Sequence, residues 1–224
     1  MHVRVNAAMS VDGKLASRTR DQLEISGSED FARVDRLRAE SDAVMVGVGT
    51  VLADDPSLTL DDPDLIADRE ARGDPPHPAR VVADSHARTP PDARILDDSA
   101  DSYVLVCEAE PTEHVTTLSS SGAEIVIAGD KQVDLAMAVE ALDERGIETL
   151  LVEGGGEVIF SLFEADLVDR LSVYVGSLVV GGRDAPTLAD GEGFVQAFPR
   201  LTLEDTMRLD DGVLLEYSSG TDSA

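Results

Sequence analysis

The sequence predicts an α/β fold: a central, mostly parallel mixed sheet with flanking helices and antiparallel C-terminal strands. Three observations predict it. Valine-rich apolar runs alternate with helical periodicities through the first two thirds of the chain. The last third becomes a succession of strand-like runs, which suits an antiparallel edge. Glycines gather where apolar runs end, the place where α/β sheets bind ligands.

Taken in order, Val3–Met9 reads as the first strand, and Asp12-Gly13 after it is a turn signal. Ser26 followed by Glu29 fits a capping box, with Phe31, Val34 and Leu37 at helical spacing, so a helix is expected from Ser28 to Ala39. Ala43–Val48 is a buried strand bounded by Gly47 and Gly49. Asp61–Pro78 is acidic and proline-rich without periodicity, and reads as a long loop. Arg80–Asp84, Tyr103–Cys107 and Glu124–Ala128 read as strands, with a helix over Pro111–Ser120. Leu135, Ala138, Val139 and Leu142 share one helical face, and Arg145-Gly146 stops that helix. Thr149–Glu153 is a strand running into three glycines, and Glu157–Ala165 continues as a helix. Leu171–Val180, Leu201–Arg208 and Val213–Tyr217 complete the strands. No repeat and no linker divides the chain, so one domain over residues 1–218 is expected, with a flexible polar tail at 219–224.

Composition narrows the function. The chain has 224 residues, 42% of them hydrophobic, enough for one ordinary core. It has 45 acidic and 18 basic residues, for a net charge of −27, and the basic set includes only two lysines, Lys14 and Lys131. Such a surface repels phosphodiester backbones and anionic lipid, which disfavours nucleic-acid and membrane partners. The acids are spread along the whole chain, which points to folding in high salt, where screening shortens the Debye length to about 3 Å at 1 M. No apolar run approaches the roughly 20 residues of a membrane span, and the N-terminus lacks a signal-peptide pattern, so a cytoplasmic location is expected. The single Cys107 sits in an apolar run and reads as a buried strand thiol. The four histidines show no ligand spacing, so no metal site is expected.

Five segments can carry chemistry. In Leu150–Phe160 a buried strand ends at Glu153 and Gly154-Gly155-Gly156 opens a helix. Glycines there let a ligand approach the backbone, and the helix start offers free N–H groups to a phosphate. The G-x-G-x-x-G fingerprint fails at Ile159 and a tight turn is the rival reading, but the run lies at a strand's carboxyl end, where α/β sheets bind ligands. In Val44–Thr59 a strand again ends in glycine. Thr50 either caps a short helix or donates to a cofactor phosphate, and Asp54 either begins the Asp-Asp-Pro turn or faces the ligand. Ala7–Lys14 places small side chains before a turn, suited to a hairpin or to a flat ring against the backbone. Arg38, near a helix C-terminus, either answers the macrodipole or grips a phosphate. Val82-Ala83-Asp84-Ser85 is a strand ending in a polar pair.

In order, these segments resemble the pyrimidine reductase family of riboflavin biosynthesis. The resemblance rests on Asn6–Gly13, on Leu37–Ala43 with Gly49–Thr59, on Val82–Ser85, on Val152–Gly156 and on Gly181–Thr187. It implies a dihydrofolate-reductase-like fold, a homodimer, and NADPH as cofactor, with NADH accepted by some members. The implied reaction is hydride transfer to C1′ of a ring-opened ribosylamino-pyrimidine phosphate, giving the ribitylamino form. Residue by residue, it makes Thr50, Asp54, Ser85, Gly154, Gly155, Gly156 and Glu157 cofactor contacts, with Ala8 and Glu24 lining the cofactor. Arg38, Leu58 and Glu153 become substrate contacts, Arg38 facing the 5′-phosphate. Asp54 and Glu153 are the acids proposed to help proton delivery. The resemblance also requires the Thr50 loop and the Gly155 loop to converge on one dinucleotide. The acidic, arginine-biased composition adds a halophilic archaeal source to the expectation.

Two departures stand out. Many relatives carry a basic residue shortly after the Leu-Thr pair, where this chain has Leu60-Asp61-Asp62. Bacterial relatives also carry an N-terminal zinc deaminase domain whose H-x-E and P-C-x-x-C motifs are absent here. Two other readings share the fold: a dihydrofolate reductase, and a non-catalytic nucleotide-binding sensor.

Overall fold

The computed structural model describes residues 1–20, 23–109 and 111–220. The chain forms two compact units, one of Met1 with Asp35–Leu151 and one of His2–Val34 with Val152–Ala224.

The first unit holds β2 (Ala43–Gly47), α2 (Val48–Asp54), α3 (Pro63–Arg72), β3 (Ala79–Ala83), β4 (Ser102–Val106), α4 (Thr112–Ser120), β5 (Glu124–Ile127) and α5 (Leu135–Asp143). Helix α1 (Ser28–Ala39) and strand β6 (Thr149–Gly154) each contribute residues to both units. The strand order is β5-β4-β3-β2-β6, and the β5–β4, β4–β3 and β3–β2 pairs are parallel. Every residue of β2 is buried, as expected of a strand covered on both faces. Its valines pack with Leu58, Val82, Ile95, Val104, Leu118 and Leu151 in one core cluster.

The second unit holds β1 (His2–Ser10), α6 (Gly156–Glu164), β7 (Arg170–Gly176), β8 (Leu201–Leu209) and β9 (Gly212–Ser219), with order β6-β1-β7-β9-β8. Strands β1 and β7 are parallel, while β7–β9 and β9–β8 are antiparallel. The predicted fold class is therefore observed: parallel strands with helices, closed by an antiparallel C-terminal hairpin. Tyr174, Ile25 and Leu214 form a buried cluster against which Ala8 packs.

Three local expectations are corrected. The loop expected over Asp61–Pro78 contains helix α3. Asp62 caps it by accepting from Asp64 N–H at 2.9 Å, Pro63 takes the first position, and the Gly73 N–H closes the end on Arg69 and Glu70 carbonyls. Helix α1 begins at Ser28 as expected, but its cap comes from Asp210, far along the chain, rather than from Ser26. The strand expected over Leu171–Val180 stops at Gly176, because the backbone beyond it turns to bond Asp12. Strand β9 runs through Ser219, and residues 221–224 lie outside the described set. No helix of the described residues is long and apolar enough to cross a membrane.

Candidate functional site

In the first unit, α2 follows β2 without a break, so Thr50 and Asp54 sit one helical turn apart on a single face. Gly47 occupies the N-cap position, which places Thr50 inside the helix and removes the capping role as its explanation. Asp54 ends α2. Its side chain reaches solvent, yet partial withdrawal from water pushes its carboxyl above the ordinary value. Arg38 closes α1 and donates from Nη1 to the Thr59 carbonyl at 3.1 Å. That bond brings Arg38 to the Leu58–Thr59 turn, where Leu58 is 2% exposed. The two first-unit residues predicted to touch substrate are thus assembled together. Their surroundings are acidic: Asp35 accepts from the Asp61 N–H at 3.1 Å and the Asp62 N–H at 2.8 Å.

Ser85 follows β3, and its hydroxyl accepts from the Val133 N–H at 2.9 Å. Its carbonyl accepts from the Cys107 thiol at 3.0 Å, so the ends of β3 and β4 and the start of α5 are tied at this serine. Before it, Asp84 is fully buried, and one of its oxygens accepts from the Thr89 N–H and hydroxyl, each at 2.7 Å.

In the second unit, β6 carries the half-buried Glu153 and ends at Gly154, with Gly155 at the N-cap of α6. No side chain caps that helix start, so its first N–H groups keep their capacity for an anion. Gly154 has φ +137°, and a Cβ there would meet nothing within 4 Å. The strand end therefore opens on free space, as a backbone cradle for a ligand requires. Gly156 is different: a Cβ would overlap the Thr187 carbonyl and the Asp190 carboxylate. The segment after β7 packs on this turn, with the Asp190 N–H donating to the Gly156 carbonyl at 3.0 Å. Glu157 lies exposed in the first turn of α6, Glu24 is exposed, and Ala8 is half-buried on β1.

The second unit joins three of the five segments on which the resemblance rests. Asp12 accepts from the Val180 N–H at 3.0 Å and the Gly181 N–H at 2.7 Å. The Lys14 ammonium donates to the Ala185 carbonyl at 3.1 Å, and the Leu15 N–H to the Pro186 carbonyl at 2.9 Å. The 10–14 turn thus holds the 180–187 loop, which in turn leads to Thr187 and Asp190 beside the glycines. Lys14, Asp12, Thr187 and Asp190 were not singled out as site residues by the sequence reading. The rarity of lysine was a signal for Lys14; nothing local marked Asp190.

These features define an α/β protein whose glycine-rich strand ends open helices, the arrangement in which α/β sheets bind ligands. Residues 1–215 match the RibD C-terminal domain family. The chain is 46% identical over 211 residues to the 2,5-diamino-6-ribosylamino-4(3H)-pyrimidinone 5′-phosphate reductase of Archaeoglobus fulgidus, covering 94% of each chain. It is also 46% identical over 219 residues to the protein of the same name from Methanothermobacter thermautotrophicus, covering 97% of each. Among solved structures, it resembles a pyrimidine reductase-like protein from Corynebacterium diphtheriae with TM-score 0.86 at 19% identity, over 99% of this chain and 92% of that one. The chain belongs to the RibD C-terminal domain family and is an oxidoreductase of riboflavin biosynthesis.

Proposed function

We propose that the chain reduces the ribosylamino side chain of 2,5-diamino-6-(5-phosphoribosylamino)pyrimidin-4(3H)-one to the ribitylamino form, with NADPH as reductant. The observation that carries this reading is the Gly154–Gly156 turn: open space at Gly154 and an uncapped α6 start suit a pyrophosphate. The archaeal relatives named for this reaction support the same substrate. When bound, the reduced nicotinamide supplies the hydride. The protein's part is binding, orientation and exclusion of water. Gly154, Gly155, Gly156, Glu157, Thr50, Asp54 and Ser85 are assigned to the cofactor, with Ala8 against its flat ring. Arg38 and Leu58 engage the substrate, Arg38 at the 5′-phosphate, and Glu153 meets it from β6.

Reduction of the imine adds a hydride at C1′ and a proton at nitrogen. Asp54 suits the proton-holding role, because its raised carboxyl keeps a proton to higher pH than an ordinary aspartate. NADH as an alternative reductant, a cytoplasmic site of action and a homodimer belong to the same reading. Strand β8 supports the homodimer: it ends the strand order, is exposed on both faces, and shows Leu203 and Met207 at 50% and 47% exposure.

The test follows NADPH absorbance on adding the pyrimidine phosphate at molar salt. Turnover is expected with this substrate and not with dihydrofolate. Turnover with dihydrofolate alone selects a dihydrofolate reductase, and tight NADPH binding without oxidation selects a nucleotide sensor.

A further inference from the structure

The residues assigned above leave one polar group of the second unit without a role. The Arg33 side chain, on α1, is 12% exposed. Its Nε donates to Asp30 Oδ1 at 2.8 Å, and its Nη2 lies 2.7 Å from Asp30 Oδ1 and 2.7 Å from Asn6 Oδ1. Asp30 and Asn6 are themselves 1% and 6% exposed. Arg33 Nη1 is buried and has no hydrogen-bond partner among the described residues.

A charged donor left unmade in the interior is costly, and a buried ion pair is seldom the most stabilising filling for a core. This arrangement therefore suits a ligand better than a scaffold. Asp30 already balances the charge of Arg33, so the remaining N–H groups suit a neutral acceptor rather than a phosphate. The guanidinium is planar, so two bonds to Asp30 and one to Asn6 fix the direction of Nη1.

The place also fits. The Asn6 side chain meets α1, and Ala8, two residues on, faces the same side of β1 about 7 Å further along the strand. Ala8 is the residue proposed to lie against the nicotinamide. With C1′ receiving the hydride beside Ala8, the pyrimidine ring attached to it through nitrogen extends over the distance that separates Ala8 from Asn6.

We infer that Arg33 is a specificity residue that reads the ring carbonyl of the pyrimidinone through Nη1, with Asp30 and Asn6 as its positioning residues. The inference rests on the reductase reading for the location of the ring.

The experiment compares calorimetric binding of the substrate with binding of an analogue lacking the ring carbonyl oxygen. Wild type, Arg33→Lys and Arg33→Met are each measured with NADPH present. Wild type is expected to prefer the substrate by about tenfold or more, the size expected for one hydrogen bond to a charged donor. Arg33→Met is expected to bind both compounds alike, and Arg33→Lys to recover part of the preference. NADPH affinity, read by fluorescence titration, is expected to stay within about twofold of wild type in both variants. A preference that survives in Arg33→Met overturns the inference, as does a wild type that binds both compounds equally. Because binding needs no turnover, failure of wild type to oxidise NADPH counts against the reductase reading while the binding comparison still decides Arg33. Arg33→Lys keeps charge and volume and guards against a fold that collapses in Arg33→Met.

Discussion

Asp210 and Glu29 close a capping box across 181 residues of chain. The Asp210 carboxylate accepts from the Glu29 and Asp30 N–H groups at 3.2 and 3.1 Å, and the Glu29 carboxylate accepts from the Asp210 N–H at 3.2 Å. The β8–β9 turn thereby fixes the start of the helix that carries Asp30 and Arg33. A local capping box forms within a few residues; here the hairpin must be in place before the helix start is satisfied.

Removing that cap is expected to destabilise the protein. Asp210→Ala is expected to cost about 0.5–2 kcal/mol, the usual range for a lost N-cap, in urea unfolding at high salt. Ser26→Ala is expected to cost less. The reverse order would return the cap to Ser26.

The glycine turn separates crowding from backbone strain. Gly156→Ala drives a Cβ into the Thr187 carbonyl and Asp190, and is expected to cost roughly 1–3 kcal/mol as overpacking. Pairing it with Asp190→Ala is expected to recover part of that loss, because the carboxylate is one of the obstacles. Gly154→Ala meets no neighbour but holds a side chain at φ +137°, so no second substitution is expected to rescue it. Thermal melts of the single and double variants check both statements. Equal rescue of the two would show that crowding is not the distinction.

Acid stability follows from two aspartates. The Ser10 hydroxyl, then the Val180 and Gly181 N–H groups, hold Asp12 down to about 2. The Ser99 hydroxyl, then the Arg80 guanidinium, do the same for Asp97, also to about 2. Both lie below the unfolded value near 3.9, so their stabilising effect is complete above about pH 4 and is lost as pH falls toward about 2. The melting temperature of Asp97→Asn is expected to lie below wild type at neutral pH, with the gap closing by about pH 2. A gap that stays constant to that pH removes Asp97 as the cause.

The exposed hairpin predicts the assembly state. Leu203, Met207 and Val213 are 50%, 47% and 42% exposed, and β8 carries a bulge between Leu203 and Asp205. Leu203→Glu with Met207→Glu is expected to shift a dimer to monomer in sedimentation at molar salt, with the far-ultraviolet circular dichroism spectrum unchanged. A dimer that survives both charges lies on another surface.

The strands and α5 were legible because their periodicity is local and their residues are buried as the pattern requires. Helix α3 was misread because its acids and prolines hide the period, although Asp62-Pro63 and Gly73 are start and stop signals in themselves. The cap on α1 was illegible for a different reason: Ser26 and Glu29 satisfy the local pattern, while the competing Asp210 is brought there only by the folded hairpin. The glycine turn was visible as a motif. The packing of Asp190 on it was not, since a contact between a loop and Gly156 leaves no period in the sequence.

Salt is expected to decide whether the protein folds at all. The chain carries a net −27, and three of its 18 basic residues are engaged inside the fold: Arg69 and Arg80 are buried on backbone carbonyls, and Arg33 on Asp30. Little positive charge remains to offset the exposed acids, Asp61 and Asp62 beside the Arg38 turn among them. At about 0.1 M salt the Debye length is about 10 Å, long enough for neighbouring carboxylates to repel; at 1 M it is about 3 Å and the repulsion is local. The melting temperature is therefore expected to rise steeply from 0.1 M to molar potassium chloride, as is the affinity for the phosphorylated substrate, which must approach those acids. Replacing Asp61 by arginine is expected to restore substrate affinity at low salt while leaving the melting temperature nearly unchanged. Melts and Michaelis constants across the salt series separate the two effects. Full stability and activity in dilute buffer would show that the acidic surface is no adaptation to salt.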